Sequence, residues 1–464
     1  MTDAVPAFRR PALLSHALAP AWVLALAGAL VSFDVTAVAV ILPLLRADLG
    51  VTLAGAVWVM DAYSLAFAGL LFAAGALADR YGRRRVLRLG NAAFALASLL
   101  CGLAWDGPSL WAARALQGAA AAFFITGGLA AISLCYPPAQ PALRARAFSL
   151  IGMAGGAAMA LGPTCGGLIA AEFGWRWVFL INLPLCLLAD WTIRRVIAET
   201  READGRPLDP IGVALLTLAI ALPVQALLQE GSTIWRWSGV ALGGICAVAL
   251  VWQQRRRSRR QLQPMLDPAL FLRRAPLGIV ALLLCLSAGY WAVLIYLPLW
   301  LQAAHALETA QSGLAMLAAT VPMLLLPPAG VRLTQRYGWR VLFSVAMLLL
   351  AVGMAALSLA VLQQMALPWA LLAIALAASG AGLGNAQVSG ALVALAPADR
   401  AGMASALATV LRQAGFALGI ALLGAVAVRG YGVSFAVAAL AAVLGALAAA
   451  VCLPRQLGEG GQAQ

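Results

Sequence analysis

Long apolar runs, each closed by a few arginine, aspartate, glycine or proline residues, recur along the whole chain. They fall at 21–45, 54–78, 87–105, 109–135, 146–171 and 175–193. Two more lie at 210–229 and 236–253, and six at 275–301, 310–332, 341–362, 367–393, 402–427 and 431–453. Each is close to the ~20 residues an α-helix needs to cross a bilayer. Backbone inside lipid must satisfy its own hydrogen bonds, so the pattern predicts an all-α integral membrane protein with fourteen spans. Charged stretches at 194–209 and 255–274 set the middle pair apart. The expected domains are a six-helix bundle over 1–200, a linker with two inserted helices over 201–265, and a second six-helix bundle over 266–464.

The polar punctuation is asymmetric. With the N-terminus inside, loops and tails on the cytoplasmic side hold 25 of the 31 basic residues, all of them arginine. Among these are Arg9, Arg10, Arg194, Arg195, Arg400, Arg455 and the clusters at 80–88, 255–274 and 332–340. Arg46, Arg176, Arg236 and Arg429 fall outside; Arg114 and Arg412 lie within spans. That bias predicts both termini in the cytoplasm and an even number of spans. Trp58, Trp105, Trp111, Trp175, Trp177, Trp235, Trp237, Trp300 and Trp369 fall at the predicted outer ends, where an interfacial aromatic belt belongs.

Composition agrees: of 464 residues, 63% are hydrophobic and 10% charged, against roughly a quarter charged in soluble domains. The net charge of +14 sits in short inter-span loops, which argues for cytoplasmic retention and against nucleic-acid binding. Seven cysteines stand singly, and His16 and His305 are isolated, so neither a metal site nor a disulfide framework is expected. Arg9 and Arg10 before an apolar run imitate a signal sequence. That run is too long for a cleaved one and carries Asp34, so it is read as a retained first span.

Leu77-Ala78-Asp79-Arg80-Tyr81-Gly82-Arg83-Arg84 aligns with Leu333-Thr334-Gln335-Arg336-Tyr337-Gly338-Trp339-Arg340, and the same shift sets Arg144 over Arg400. Two parallel six-helix halves are expected, with 210–253 inserted between them.

Several residues are out of place in lipid. Asp34, Asp61 and Arg114 are ionisable within spans, where a charge costs about 2.5–3.5 kcal/mol at the midplane and so faces the bundle interior or water. In the loop from Gly75 through Asp79, Arg80, Gly82, Arg83 and Arg84, Gly82 suits a turn with positive φ. Asp79 there can pair with arginines or a helix end and latch one of two states. Gly152/Gly156 and Gly162/Gly166 are small-residue pairs that admit a neighbouring helix closely, and Pro163 removes a backbone donor.

Taken in order, these segments resemble the major facilitator superfamily, and within it the fourteen-helix drug:proton antiporter family. The likeness rests on Asp34-Val35-Thr36, Trp58-Val59-Met60-Asp61-Ala62-Tyr63-Ser64-Leu65, the 75–85 loop and Arg114-Ala115-Leu116-Gln117-Gly118. Gly162-Pro163-Thr164-Cys165-Gly166-Gly167, Trp175 to Pro184, and Arg412-Gln413-Ala414-Gly415 extend it. Gln335 departs from the pattern where an acid would repeat Asp79. The resemblance implies the major facilitator fold. It also implies a bacterial inner-membrane, proton-coupled exporter of drugs or other amphipathic, often cationic, compounds, working by alternating access without a cofactor. Its partners would be the small-molecule substrate, protons and the bilayer. A monomer is expected, and an assembly with periplasmic efflux partners is left open.

Under that reading Asp34, seconded by Asp61, takes the proton and the substrate cation, with Arg114 opposing; desolvation favours a neutral carboxyl, so protonation can alternate with occupancy. Gly162, Pro163, Gly166 and Gly167 look like the antiporter signature, and Arg412 and Gln413 mark the second half. A narrow-specificity metabolite exporter or a proton-coupled importer on the same fold is the alternative. No nucleophile–base pair, phosphate loop or repeated pore filter points to an enzyme, an ATP-driven pump or a channel.

Overall fold

The computed structural model describes residues 17–136, 140–199, 209–228, 233–260, 262, 264–266, 273–396 and 401–454. Arg9, Arg10, Arg201, Arg206, Arg400 and Arg455, which carry part of the expected charge asymmetry, lie outside them.

The described chain is helical throughout. The first half holds α1 (Ala19–Leu49), α2 (Leu53–Tyr81), α3 (Arg83–Gly102), α4 (Gly107–Cys135), α5 (Pro141–Phe173) and α6 (Arg176–Val196). A hairpin of α7 (Pro210–Leu228) and α8 (Thr233–Arg259) follows. The second half holds α9 (Arg274–His305), α10 (Thr309–Leu325), α11 (Pro327–Leu362), α12 (Leu367–Leu395), α13 (Ala401–Ala427) and α14 (Tyr431–Cys452). Twelve of these are long and apolar enough to cross a membrane; α10 is a shorter apolar helix, and α4, 29 residues long, is the other outside that set.

Where the elements depart from the sequence pattern, the cause is local. The span expected at 310–332 is broken at Met316 and again before Pro327. Beyond that break, α11 is two helices meeting at a kink at Gly338, which is non-helical at φ 79 and lies in the loop expected between the spans. The helix expected to end near 253 continues to Arg259, because arginine is a good helix former and basic side chains suit a helix C-terminus. Trp175 and Trp300, expected in the interfacial belt, are buried. Trp175 Nε1 donates to Asp48 (2.9 Å), and Trp300 meets His305 and Phe435 edge-on.

The repeat is written into the backbone. Left-handed residues occur at Gly50, Gly82 and Gly174, and again at Ala306, Gly338 and Gly430, each pair 256 positions apart. Arg80 lies over the ring of Tyr81 (5.6 Å) as Arg336 lies over Tyr337 (5.3 Å). Gly90 packs on the backbone of Phe124, and at the same shift Ala346 packs on Gly380.

Among the described residues the halves meet along two main seams, with α1 also packing on α9. Helix α5 packs on α10, and α2 packs on α13, with α7 lying against both α2 and α13. Gly69 of α2 leaves just enough room for Thr217 of α7.

Candidate functional site

Within the first half, α1, α3, α4 and α6 bring polar side chains to one point in an otherwise apolar bundle. Asp34 and Arg114, both fully buried, form an ion pair at 2.6 Å. Asp34 Oδ1 also accepts from Gln117 Nε2 (2.9 Å) and Asn182 Nδ2 (3.0 Å). Both amides donate in turn to Ser98 Oγ, at 2.9 and 3.2 Å. Arg114 donates from Nε to the Val59 carbonyl (2.9 Å) and lies 4.3 Å from the Tyr63 ring centroid. A buried charge survives when it is paired and hydrogen-bonded, and Asp34 is both. Removing either charge would leave the other buried without its counter-charge.

Asp61 is equally buried but joins nothing. Neither carboxyl oxygen has a hydrogen-bond partner. It lies on α2, the helix that packs on α13 of the second half. The structure therefore unites Asp34 with Arg114 and places Asp61 apart, at the boundary between the halves. Gln117, Asn182 and Ser98 were not singled out from the sequence as site residues. Their signal was available: each is a polar residue inside an apolar span.

A cavity of about 1090 Å³ separates the halves, large enough for a drug-sized molecule. Its walls come from α1, α4 and α5 on one side and α9 to α13 on the other, and it reaches Arg332 at the arginine-rich end of α11. Most of the wall is apolar, with Leu24, Ile151, Met159, Leu294 and Met323 prominent; Ser32, Thr320, Asn385, Gln387 and Arg412 supply polar atoms. Neither Asp34 nor Asp61 is among its lining residues, nor is Gln413. Gly152 and Gly156, expected to receive a neighbouring helix, face this space instead and have nothing within contact of a built Cβ.

The other end is shut by the Gly162–Gly167 segment. A Cβ on Gly166 would stand 2.8 Å from that of Ala37 in α1, and Gly162 leaves room only for Thr36. Across the seam, a Cβ on Gly167 would be 2.9 Å from the Thr309 carbonyl, and one on Gly313 2.8 Å from that of Pro163. Thr164 Oγ1 donates to the Gly313 carbonyl at 2.9 Å. Backbone meets backbone here because no side chain intervenes.

At the arginine-rich end, Gly82 has φ 108 and turns α2 into α3. Asp79 pairs with Arg83 at 3.1 Å. Glu199 accepts from the Arg84 amide (3.2 Å), while Asp190 bridges Arg88 (2.8 Å) and Arg194 (2.7 Å). These contacts all lie within the first half. Arg80 is exposed, and Gly75 lies against Thr126. Gln335, at the place of Asp79 in the repeat, is exposed.

Two six-helix halves related by a parallel repeat, enclosing a central cavity, define a membrane transporter and not an enzyme. The chain belongs to the Major Facilitator Superfamily, whose sequence profile matches residues 24–420 and 283–462. It is 30% identical over 405 residues to the multidrug resistance protein Stp of Mycobacterium tuberculosis (strain CDC 1551 / Oshkosh), covering 86% of this chain and 73% of that one. It is 32% identical over 425 residues to the methylenomycin A resistance protein of Streptomyces coelicolor, covering 90% and 88%. Among solved structures, a D-xylose-proton symporter superposes with a TM-score of 0.69 over 94% of this chain and 98% of that one, at 18% identity, a likeness of fold alone.

Proposed function

We propose that the protein is a proton-coupled exporter of amphipathic compounds that works by alternating access. The observation that carries this reading is the cavity itself, shut at one end by the glycine seam of α5 and α10 and reaching the arginine-rich end at the other. With that end assigned to the cytoplasm by its arginines, the cavity faces inward, ready to load from inside the cell. Relatives named for resistance to several drugs and to methylenomycin A support export as the direction.

In the same reading all fourteen helices span an inner membrane, both termini are cytoplasmic, and the protein works as a monomer. Asp34 holds the transported proton when Arg114 withdraws, and Asp61, unpaired on α2 against the second half, is the second acid. Asp79 latches the inner end through its pairing with Arg83. Efflux from everted vesicles of a panel of amphipathic dyes tests this under an imposed proton gradient. Transport should collapse with an uncoupler and slow markedly in Asp34→Asn. Uncoupler-insensitive efflux, or an Asp34→Asn variant running at the parental rate, would remove the antiport reading.

A further inference from the structure

The charges in and around the cavity are distributed in an unexpected way. Its lining contains no aspartate or glutamate among the described residues, but it contains Arg412, midway along α13, and Arg332 at its mouth. Arg412 has no carboxylate partner among the described residues. One guanidinium nitrogen donates to Ser389 Oγ, and its Nε is buried with no partner at all. The two arginines within the spans, Arg114 fully buried and Arg412 half-buried at the cavity wall, are thus in opposite conditions. Arg114 is neutralised by Asp34, whereas Arg412 faces a large space with its fork of donors mostly unused. An arginine in low-dielectric surroundings is costly unless a counter-charge meets it, and here the remaining room for one is the cavity.

Resting on the reading of this cavity as the substrate site, we infer that it takes an anionic amphipath, a carboxylate or sulfonate on an apolar or aromatic body, with Arg412 binding the anionic group. A guanidinium presents paired donors that match a carboxylate or sulfonate in two parallel hydrogen bonds. Asn385, whose Oδ1 accepts from Trp291 Nε1 (3.3 Å), lines the same space, and its amide adds donors there. Trp291, Tyr290 and the aliphatic walls receive the body. The acids that a cationic substrate would need are either neutralised, as Asp34 is, or outside the lining, as Asp61 is. Proton and substrate then occupy separate places. Their exchange is transmitted by α13, which carries Arg412 and packs on the Asp61 helix, α2.

The test is equilibrium binding to purified protein in detergent, without any gradient, using dyes matched in ring system and opposite in charge. Carboxyfluorescein is set against tetramethylrhodamine methyl ester, and pyrenebutyrate against pyrenebutyl-trimethylammonium, read by fluorescence anisotropy. The anionic member of each pair should bind about tenfold more tightly or better, the worth of one charge-assisted hydrogen bond. Arg412→Gln should abolish that preference by weakening anion binding, and Arg412→Lys should keep part of it. Equal, absent or cation-favouring binding by the parental protein overturns the inference, and so does a preference that survives Arg412→Gln. If the glutamine variant does not fold, the parental preference and the lysine variant decide. Failure of proton coupling would appear as uncoupler-insensitive efflux and leave this preference untouched, so the two readings fail separately.

Discussion

Superimposed through the shift of 256, the two halves share a scaffold and almost nothing of its polar interior. Asp34 corresponds to Tyr290, Ser98 to Met354, Arg114 to Ala370, Gln117 to Ala373 and Asn182 to Ala438. Each of those counterparts is buried. Where the first half has an ion pair held by two amides, the second has apolar packing and one tyrosine, whose hydroxyl donates to the Ala319 carbonyl (2.5 Å) inside a π-helical turn at Ser287–Trp291. The reverse holds at the cavity wall, where Gly156 of the first half answers Arg412 of the second. The duplicated fold has diverged: one half holds a buried ion pair outside the cavity lining, and the other presents to the cavity an arginine with no carboxylate partner among the described residues.

The sharpest way to break this comparison is to unpair the first half. Arg114→Met leaves Asp34 buried without its counter-charge. It should cost about 3–5 kcal/mol of stability, read as a lowered thermal midpoint in detergent, and part should return when Asp34→Asn is added. A weaker loss than that of Tyr290→Phe would mean that the network is not the polar core of its half. Next in size is the seam. Gly313→Val places a side chain where a Cβ alone would stand 2.8 Å from the Pro163 carbonyl. It should part α5 from α10 and raise the reactivity of a cysteine at Thr164 toward an impermeant maleimide several-fold; unchanged reactivity would show that the seam is not closed by this contact. Smallest is Tyr290→Phe, which removes one neutral hydrogen bond, worth about 1 kcal/mol. A loss as large as that of Arg114→Met would place the second half on an equal polar footing with the first.

Hydropathy alone located most helices to within a few residues, because lipid permits so few alternatives for a buried backbone; the spans expected at 236–253, 310–332 and 341–362 it bounded less well. It located breaks poorly. Met316 breaks a run that is apolar on both sides and carries no compositional mark; Gly338, by contrast, interrupts the chain in the loop that its alignment with Gly82 had marked. Asp34, Asp61 and Arg114 stood out as charges in lipid. Their grouping did not, since Gln117 and Asn182 reach Asp34 from helices 83 and 148 positions away in sequence. The cavity was the least legible part. Gly152 and Gly156 read as helix-packing residues when they are wall, and Arg412 was marked by its neighbours in sequence and not by the space before it.

The seams between the halves differ as much as their interiors. At the shift of 256, Gly313 and Gly167 of the α5–α10 seam answer to Val57 and Leu423, both buried; these lie on the α2–α13 seam, over which α7 is laid. One joint is built from backbone against backbone and has little side-chain freedom to lose on closing or regain on opening. The other carries a splint: α7 lies on both of its helices, so any sliding of α2 past α13 must carry α7 along or break its packing, the fit of Thr217 against Gly69 included.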